Sequence, residues 1–512
     1  MERLPRPPSM ASDKFDGTYW IDEQIWGHRL YDEQTPWLTV LEFLTVFRSA
    51  RTLTDSVDLK YSPQRQLQLR NIVFNNPHMA DLLTDPPLPD AAAWERWIQL
   101  MKEDAAHIDV SSLALLNRRF PRFADFARLV GYLRRTAIEG SSNKRWSSKF
   151  VFPFGPNSLY EDLRVSENSV SNDRRFFGRT GELLYLMLAR SQRAATLGPI
   201  LAARFFEAHD STDTVVSLLQ GAPSMAPDLR TGGYLPYHSL PEFDRLAEDW
   251  LALLERPLPK FDVLPHLVAL TGLHLLIYFL RRAAAEIDGL AAPTFVCEIV
   301  GPRRSAIRDL ALNSFEQNQA LPRMAIEHLI RQVSETEEWA IVLSDPEPLQ
   351  AAAKVLARRF DWPDGEDLEN LPAQKPQDLI DELVKKAAIR HKQHVAKVHG
   401  SWARSIGLSS RRGSQRVRYA PTDGLLKSLV LCNVASRMEF KSFLKRLYDR
   451  YGFIIGEQQA VGFLEHNEVD LEDFSDNASR LEERLTSLGL MQRLSDGCAY
   501  VHLPFGGATR HG

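Results

Sequence analysis

Residues 390–421, RHKQHVAKVHGSWARSIGLSSRRGSQRVRYAP, contain six arginines, two lysines, three histidines and no acid. The acid-free zone extends from Leu383 to Thr422 and holds ten Lys and Arg. Clustered cations without competing carboxylates suit phosphate binding, because each neutralised phosphate releases condensed counterions. The candidates are Lys385, Lys386, Arg390, Lys392 and Lys397 on a predicted helix, and Arg411, Arg412, Arg416 and Arg418 in the loop and short strand that follow. The same residues can also be read as a solvated helix face with a tether that docks on the acidic 457–476 segment of the same chain.

Other constellations carry less chemistry. His391, His394 and His399 lie close in sequence, but no carboxylate stands nearby to complete a zinc shell and the flanking lysines repel a dication. Thr294–Val300 reads as a strand leading through Gly301-Pro302-Arg303-Arg304 into a helix. A helix start with two arginines can hold a phosphate, yet no P-loop or GxGxxG accompanies it. Lys144, Arg145, Lys149, Arg174, Arg175 and Arg179 alternate with aromatics and fit either a nucleic-acid channel or a structured loop. GxSxG, HExxH, paired CxxC and kinase signatures are absent. Glu298 is the one acid on the internal strand, with no lysine after it, so a nuclease constellation is not formed there. No catalytic residue, metal or cofactor is therefore expected.

The elements that must position these residues are mostly helices. Thr35-Pro36 supplies a cap and a first-turn proline, followed by Trp37, Leu38, Leu41, Leu44 and Phe47 at helical spacing. Ahead of it, Phe15, Tyr19, Trp20, Trp26 and Tyr31 form an aromatic-rich leading segment that reads as a small core or a base-stacking surface. Apolar stripes recur at the 3.6 period through most of the chain and no fixed-period repeat is present, so the expected fold class is predominantly α. Composition shifts suggest a helical region over 1–139, a central helical domain over 140–290, and a strand-plus-helices region over 291–376 that ends in an acidic linker. A basic helix and loop over 377–420, a C-terminal domain over 421–505 and a tail over 506–512 complete the division.

The last domain has the most specific pattern. One helix follows Thr422-Asp423 with Leu425, Leu426, Leu429 and Val430 on its apolar side. A second, Glu439–Tyr451, buries Phe440, Phe443, Leu444, Leu447 and Tyr451. A third is expected to open at Ser479, where Ser479 and Glu482 could form a capping box, with Leu481, Leu485 and Leu488 inward and Gly489 as its stop. Asp496-Gly497 between alternating apolar residues signals a hairpin. Three helices closed by a hairpin resemble a winged helix over about 90 residues. That resemblance implies a third helix in the major groove and a wing on the backbone or in the minor groove. The third helix, however, carries Glu482 and Glu483 against Arg480 and Arg484. The basic side chains, Lys441 and Lys445 among them, sit on the second helix instead. Winged helices also serve as protein-docking modules.

The 512-residue chain, with a net charge of −4 and 25% charged residues, has the composition of a folded globular protein. Its three scattered cysteines and the lack of an apolar leader point to the cytosol. The segment from Val263 to Leu280 has nearly the length of a membrane span, but Pro265, His266, Thr271, Gly272 and His274 interrupt it and a buried helix is expected. The expected function is a non-enzymatic, nucleic-acid-binding accessory subunit of a larger cytosolic assembly, DNA being the expected nucleic acid. By analogy of architecture the assembly resembles bacterial DNA-handling or phage-defence systems, with an ATPase, helicase or nuclease as partner. The alternative is a scaffold that uses the C-terminal domain for protein contacts.

Overall fold

The computed structural model describes residues 3–5, 18–27, 30, 32, 34–55, 60–61, 72, 79, 81–83, 88–104, 110–135, 155–158, 163–166, 169–172, 179–207, 211–219, 230–231, 233–301, 306–363, 371–412, 415–464, 470–495 and 498–503. It is 69% helical and 6% strand, the predominantly α architecture expected from apolar spacing. Two compact units share the chain. The smaller comprises Trp37–Tyr185 and Gly198–Gly232, and the larger Met1–Pro36, Leu186–Leu197 and Gly233–Gly512. This grouping departs from the composition-based segments: the breaks at 290, 376 and 420 all fall inside the larger unit. Compositional breaks mark exposed loops, whereas a compact unit is defined by shared core, and here the core is assembled from separated stretches.

In the smaller unit, Trp94, Trp97, Phe123 and Phe126 pack ring against ring within an apolar cluster that also takes in Leu113, Leu116, Val130 and Leu219. Glu42 caps the helix Thr180–Ala189 by accepting from the Arg179 and Gly181 amides at 3.1 and 2.6 Å. A Cβ on Gly181 would lie 2.5 Å from the Glu42 Cβ, so only glycine lets the carboxylate approach. Of the basic-aromatic stretch read from the sequence, Arg179 is described and binds Glu182. Lys144, Arg145, Lys149, Arg174 and Arg175 lie outside the described residues.

Counted from residue 241, the larger unit contains α1 (Pro241–Leu254), α2 (Lys260–Ala285), β1 (Phe295–Val296), α3 (Ile307–Arg331), α4 (Glu337–Leu343), α5 (Pro348–Phe360), α6 (Pro376–Gln393) and α7 (Val395–Ser405). There follow β2 (Ser409–Ser410), β3 (Arg418–Tyr419), α8 (Asp423–Asn433), β4 (Arg437–Glu439), α9 (Phe440–Tyr451), β5 (Phe453–Ile454), α10 (Glu457–Leu464), α11 (Leu471–Ser487), β6 (Met491–Ser495) and β7 (Cys498–His502). Its axis is α2. By length and composition α2 could cross a membrane, but 83% of its apolar window is buried, with α1, α3, α7 and α8 packed around it. Its polar residues are satisfied inside: Thr271 accepts from the Trp250 indole at 3.2 Å, and His274 meets Asp249 at 2.7 Å. Trp26 of the aromatic leading segment is fully buried and donates to the Phe279 carbonyl, so it belongs to the core, while Phe15 and Tyr31 lie outside the described residues.

At the C-terminal end, β4, β6 and β7 form an antiparallel sheet in the order β6-β7-β4, with Met491 opposite Val501 and Tyr500 opposite Glu439. The expected turn residues Asp496 and Gly497 lie outside the described residues. Helices α8 and α9 bury the apolar residues assigned to them from spacing. Helix α11 buries Leu481 and Leu485 as expected, with Leu488 half-buried, but it begins at Leu471, two turns before Ser479. Ser479 therefore sits mid-helix and its hydroxyl donates to the Ser475 carbonyl, so no capping box forms there. Phe474 and Asn477, both buried, explain the earlier start, since they extend the inward stripe of Leu481 and Leu485. Gly489, at φ +70°, ends the helix as expected.

Candidate nucleic-acid interface

Helices α6 and α7 carry the first group of predicted phosphate contacts. Their apolar stripe, Leu379, Ile380, Leu383, Ala387, Val395, Val398 and Trp402, faces the core, which leaves the cations on the other side. Lys392 and Lys397 are exposed; Lys397 donates to the Gln393 carbonyl at 2.8 Å. Lys385 is exposed but pairs with Glu382 at 2.5 Å, a carboxylate one position outside the acid-free zone. Lys386 lies over the buried Trp362 ring at 5.4 Å, and Arg390 is half-buried. Of the histidines, His399 is fully buried, its ring tilted against Phe315 at 4.5 Å and hydrogen-bonded to the Tyr419 hydroxyl at 2.6 Å. Burial lowers the His399 imidazole to about 3 and the His391 imidazole to about 4, so both are neutral core groups. Among the described residues no group of three metal-ligating side chains converges.

The second group divides sharply. β2 and β3 form a hairpin, Ser409 opposite Tyr419 and Ser410 opposite Arg418. Arg411, Arg412 and Arg416 on its loop are exposed. Arg418 is not a surface residue: its side chain is 0% exposed and forms an ion pair with Glu298, itself 0% exposed. Both residues of β3, Arg418 and Tyr419, are buried, and Arg418 turns inward because the buried Glu298 carboxylate requires a counter-charge. Arg308 adds a second bond to the Glu298 carboxylate at 3.2 Å, and Arg418 also donates to the Arg412 carbonyl at 2.9 Å. Arg418 is thus the clasp of the hairpin and cannot touch a phosphate.

On the C-terminal module, Lys441 and Lys445 are exposed on α9, and Lys445 pairs with Asp449 at 2.5 Å. Because α11 starts at Leu471, it carries five acids (Glu472, Asp473, Asp476, Glu482, Glu483) against Arg480 and Arg484, and Arg484 is held by Asp423 at 2.5 Å. The helix is distinctly acidic.

Two polar networks had no local signature in the sequence. Asp249 on α1 accepts from Tyr451 at 2.6 Å and from Arg450 at 2.5 Å on α9, and meets His274 on α2. Burial by itself would raise the Asp249 carboxyl, but hydrogen bonding and charge from His274, then Arg450 and Tyr451, hold it below the usual carboxylate range. Burial, reinforced by the Asp249 charge, pushes the Tyr451 phenol well up, so it remains a donor. In the second network, Arg256 donates to the carbonyls of Leu431, Val434 and Ala435 at 3.0, 2.9 and 3.0 Å, closing the C-terminal end of α8. β5 pairs in parallel with β1, Phe295 opposite Phe453, and Asn477 of α11 bridges Cys297, Ile299 and Ile455. The module that began at 421 in the sequence reading is built into the helical body, because its strand edge and its buried tyrosine find partners only there. Partners such as Tyr451 and Asp249, 202 positions apart, or Asn477 and Cys297, 180 apart, leave no spacing to read. The one legible sign was a lone glutamate in an apolar strand.

No family model, curated protein or solved structure matches the chain, so its own geometry carries the functional conclusion.

Proposed function

We propose that the protein is a non-enzymatic subunit that holds nucleic acid by its phosphates, through the β2–β3 hairpin. The observation that carries this reading is the separation of the basic residues by the hairpin itself. Arg411, Arg412 and Arg416 face solvent from a loop whose base is locked by the buried Arg418–Glu298 pair, inside forty residues without an acid. A fixed base with exposed guanidinium groups can position a phosphate backbone without reading sequence. Lys392 and Lys397 extend the exposed cations along α6 and α7. The sheet order β6-β7-β4 beside α8, α9 and α11 supports a winged-helix reading of the C-terminal module, with α10 as an insertion between its second and third helices. The acidic character of α11 argues against this helix entering a major groove, so binding without base specificity is the expected mode.

The test is titration of a labelled duplex by the wild type and by a variant with Arg411, Arg412 and Arg416 all changed to Ala, at several salt concentrations. If the three contact phosphates, the slope of log affinity against log salt flattens by about 2.7, at roughly 0.9 per contact. Unrelated sequences should weaken alike. Indistinguishable binding by the two proteins overturns the reading. A second reading, protein docking by the C-terminal module, is favoured by the same acidic helix.

A further inference from the structure

A cavity of about 190 Å³ opens between the start of α9, the first turn of α10, one face of α11 and the β6–β7 hairpin. Its walls are unlike one another. Phe440 and Leu444, both buried, give an apolar side, while Glu439 and Glu457 are exposed carboxylates with no ion-pair partner among the described residues. Gln459 is only 8% exposed, and its Oε1, fully shielded, has no hydrogen-bond partner among the described residues. A buried amide oxygen left without a donor marks a place where a donor is missing. Gly456 keeps the approach open: a Cβ there would stand 3.1 Å from Gln459 Oε1 and 3.0 Å from Leu444 Cδ1.

We propose that this cavity is a binding pocket for an arginine side chain of a basic partner polypeptide. The guanidinium brings several donors in a planar fork, which matches one buried amide oxygen flanked by two carboxylates. Its methylene stem suits the Phe440 and Leu444 wall. Two other charges in the lining cancel, since Arg493 pairs with Glu482 at 3.6 Å. Among the described residues of the lining, Lys441 is the one remaining cation, against the carboxylates of Glu439 and Glu457. Glu457, in the first turn of α10, also offsets the positive end of that helix. The surrounding surface selects a polypeptide over a nucleic acid: α11, with its net charge of −3, forms one wall and repels phosphates while it attracts a basic chain. The site is independent of the arginine hairpin, so either proposal can fail without the other.

Cys498 lines the rim and is exposed, whereas Cys297 and Cys432 are buried, so thiol modification reports on this cavity. The full-length protein is treated with N-ethylmaleimide in the presence of a short basic peptide containing one arginine, the same peptide with citrulline in its place, agmatine, or duplex DNA. The arginine peptide should slow Cys498 modification several-fold and the citrulline peptide should not. Gln459→Leu should abolish the protection. Gln459→Glu should strengthen it, an effect that a purely structural glutamine would not produce. Circular dichroism confirms that both variants remain folded, and Glu457→Gln, at an exposed position, provides a weaker-binding variant that leaves the core untouched. Equal protection by both peptides, or none by either, overturns the pocket. Protection by agmatine equal to that by the peptide overturns the polypeptide source, and protection by DNA alone overturns the assignment of this face to protein.

Discussion

Glu298 and Arg418 lie 120 positions apart and are both fully buried, so neither can be removed without leaving a charge inside. Glu298→Ala is expected to destabilise the protein by about 3–5 kcal/mol, with chemical denaturation as the readout. Arg411→Ala, at an exposed loop position of the same hairpin, should stay within about 0.5 kcal/mol. Acidity provides a second residue-scale prediction. His391 and His399 have their pKa values lowered by burial, to about 4 and about 3, so the unfolded chain takes up their protons first as pH falls. Their contribution is fully present above the unfolded value of about 6.5 and is lost progressively below it, at up to roughly 1.4 kcal/mol per pH unit for each group. Asp249, with a lowered carboxyl pKa, loses its contribution in the same direction, at lower pH. Denaturation midpoints should therefore drop between pH 7 and 5, and His399→Gln should flatten that dependence. A midpoint independent of pH over this range would contradict the buried, neutral assignment.

Among the elements, α9, β5 and α11 decide whether the C-terminal module is autonomous. The sequence reading treats 421–505 as a domain able to fold by itself. In the structure β5 takes β1 as its edge partner, Tyr451 and Arg450 are anchored on Asp249, and Asn477 fills the gap behind Cys297. Cut at 421, the module would expose Phe453 and Ile454 and leave the Tyr451 hydroxyl without its carboxylate. The isolated 421–505 fragment is expected to melt broadly, without the sharp transition of the full chain. A cooperative melt of the fragment would show that these ties are dispensable. The legibility of these elements follows their physics. Helices α8 and α9 could be read because their apolar residues repeat at helical spacing on one face. The start of α11 could not, because Ser479 and Glu482 imitate a capping box in the middle of a helix whose earlier turns are rich in acids. Short-range signals of equal quality compete, and tertiary burial of Phe474 and Asn477 selects between them.

Across the whole molecule, two compact units are threaded from separated segments, and α2 forms the axis of the larger one. The hydropathy of α2 is used inside the protein: Trp250 meets its Thr271, Asp249 its His274 and Trp26 its Phe279, and 83% of its apolar window is covered. The protein is accordingly expected to be recovered without detergent and to remain in the supernatant after membranes are pelleted. Partition with the membrane fraction would mean that α2 has another environment. The charge distribution also acts at this scale. Within the larger unit, the exposed arginines of the β2–β3 loop and the acids of α11 stand on separate elements, so groups of opposite sign are presented at separate places.

The sequence by itself determined the helical class, the apolar faces of most helices, the C-terminal strand pair, and the existence of a basic stretch free of acids, because each is written in spacing or composition over a few turns. It did not determine which of those basic residues meet solvent. Arg411, Arg412, Arg416 and Arg418 read alike along the chain, and only the pairing of β2 with β3 and the burial of Glu298 turned Arg418 inward. The Asp249, His274 and Tyr451 network and the pocket around Gln459 likewise exist only once distant segments are packed together. Local chemistry is set by neighbours in sequence, whereas burial and charge pairing are set by neighbours in space.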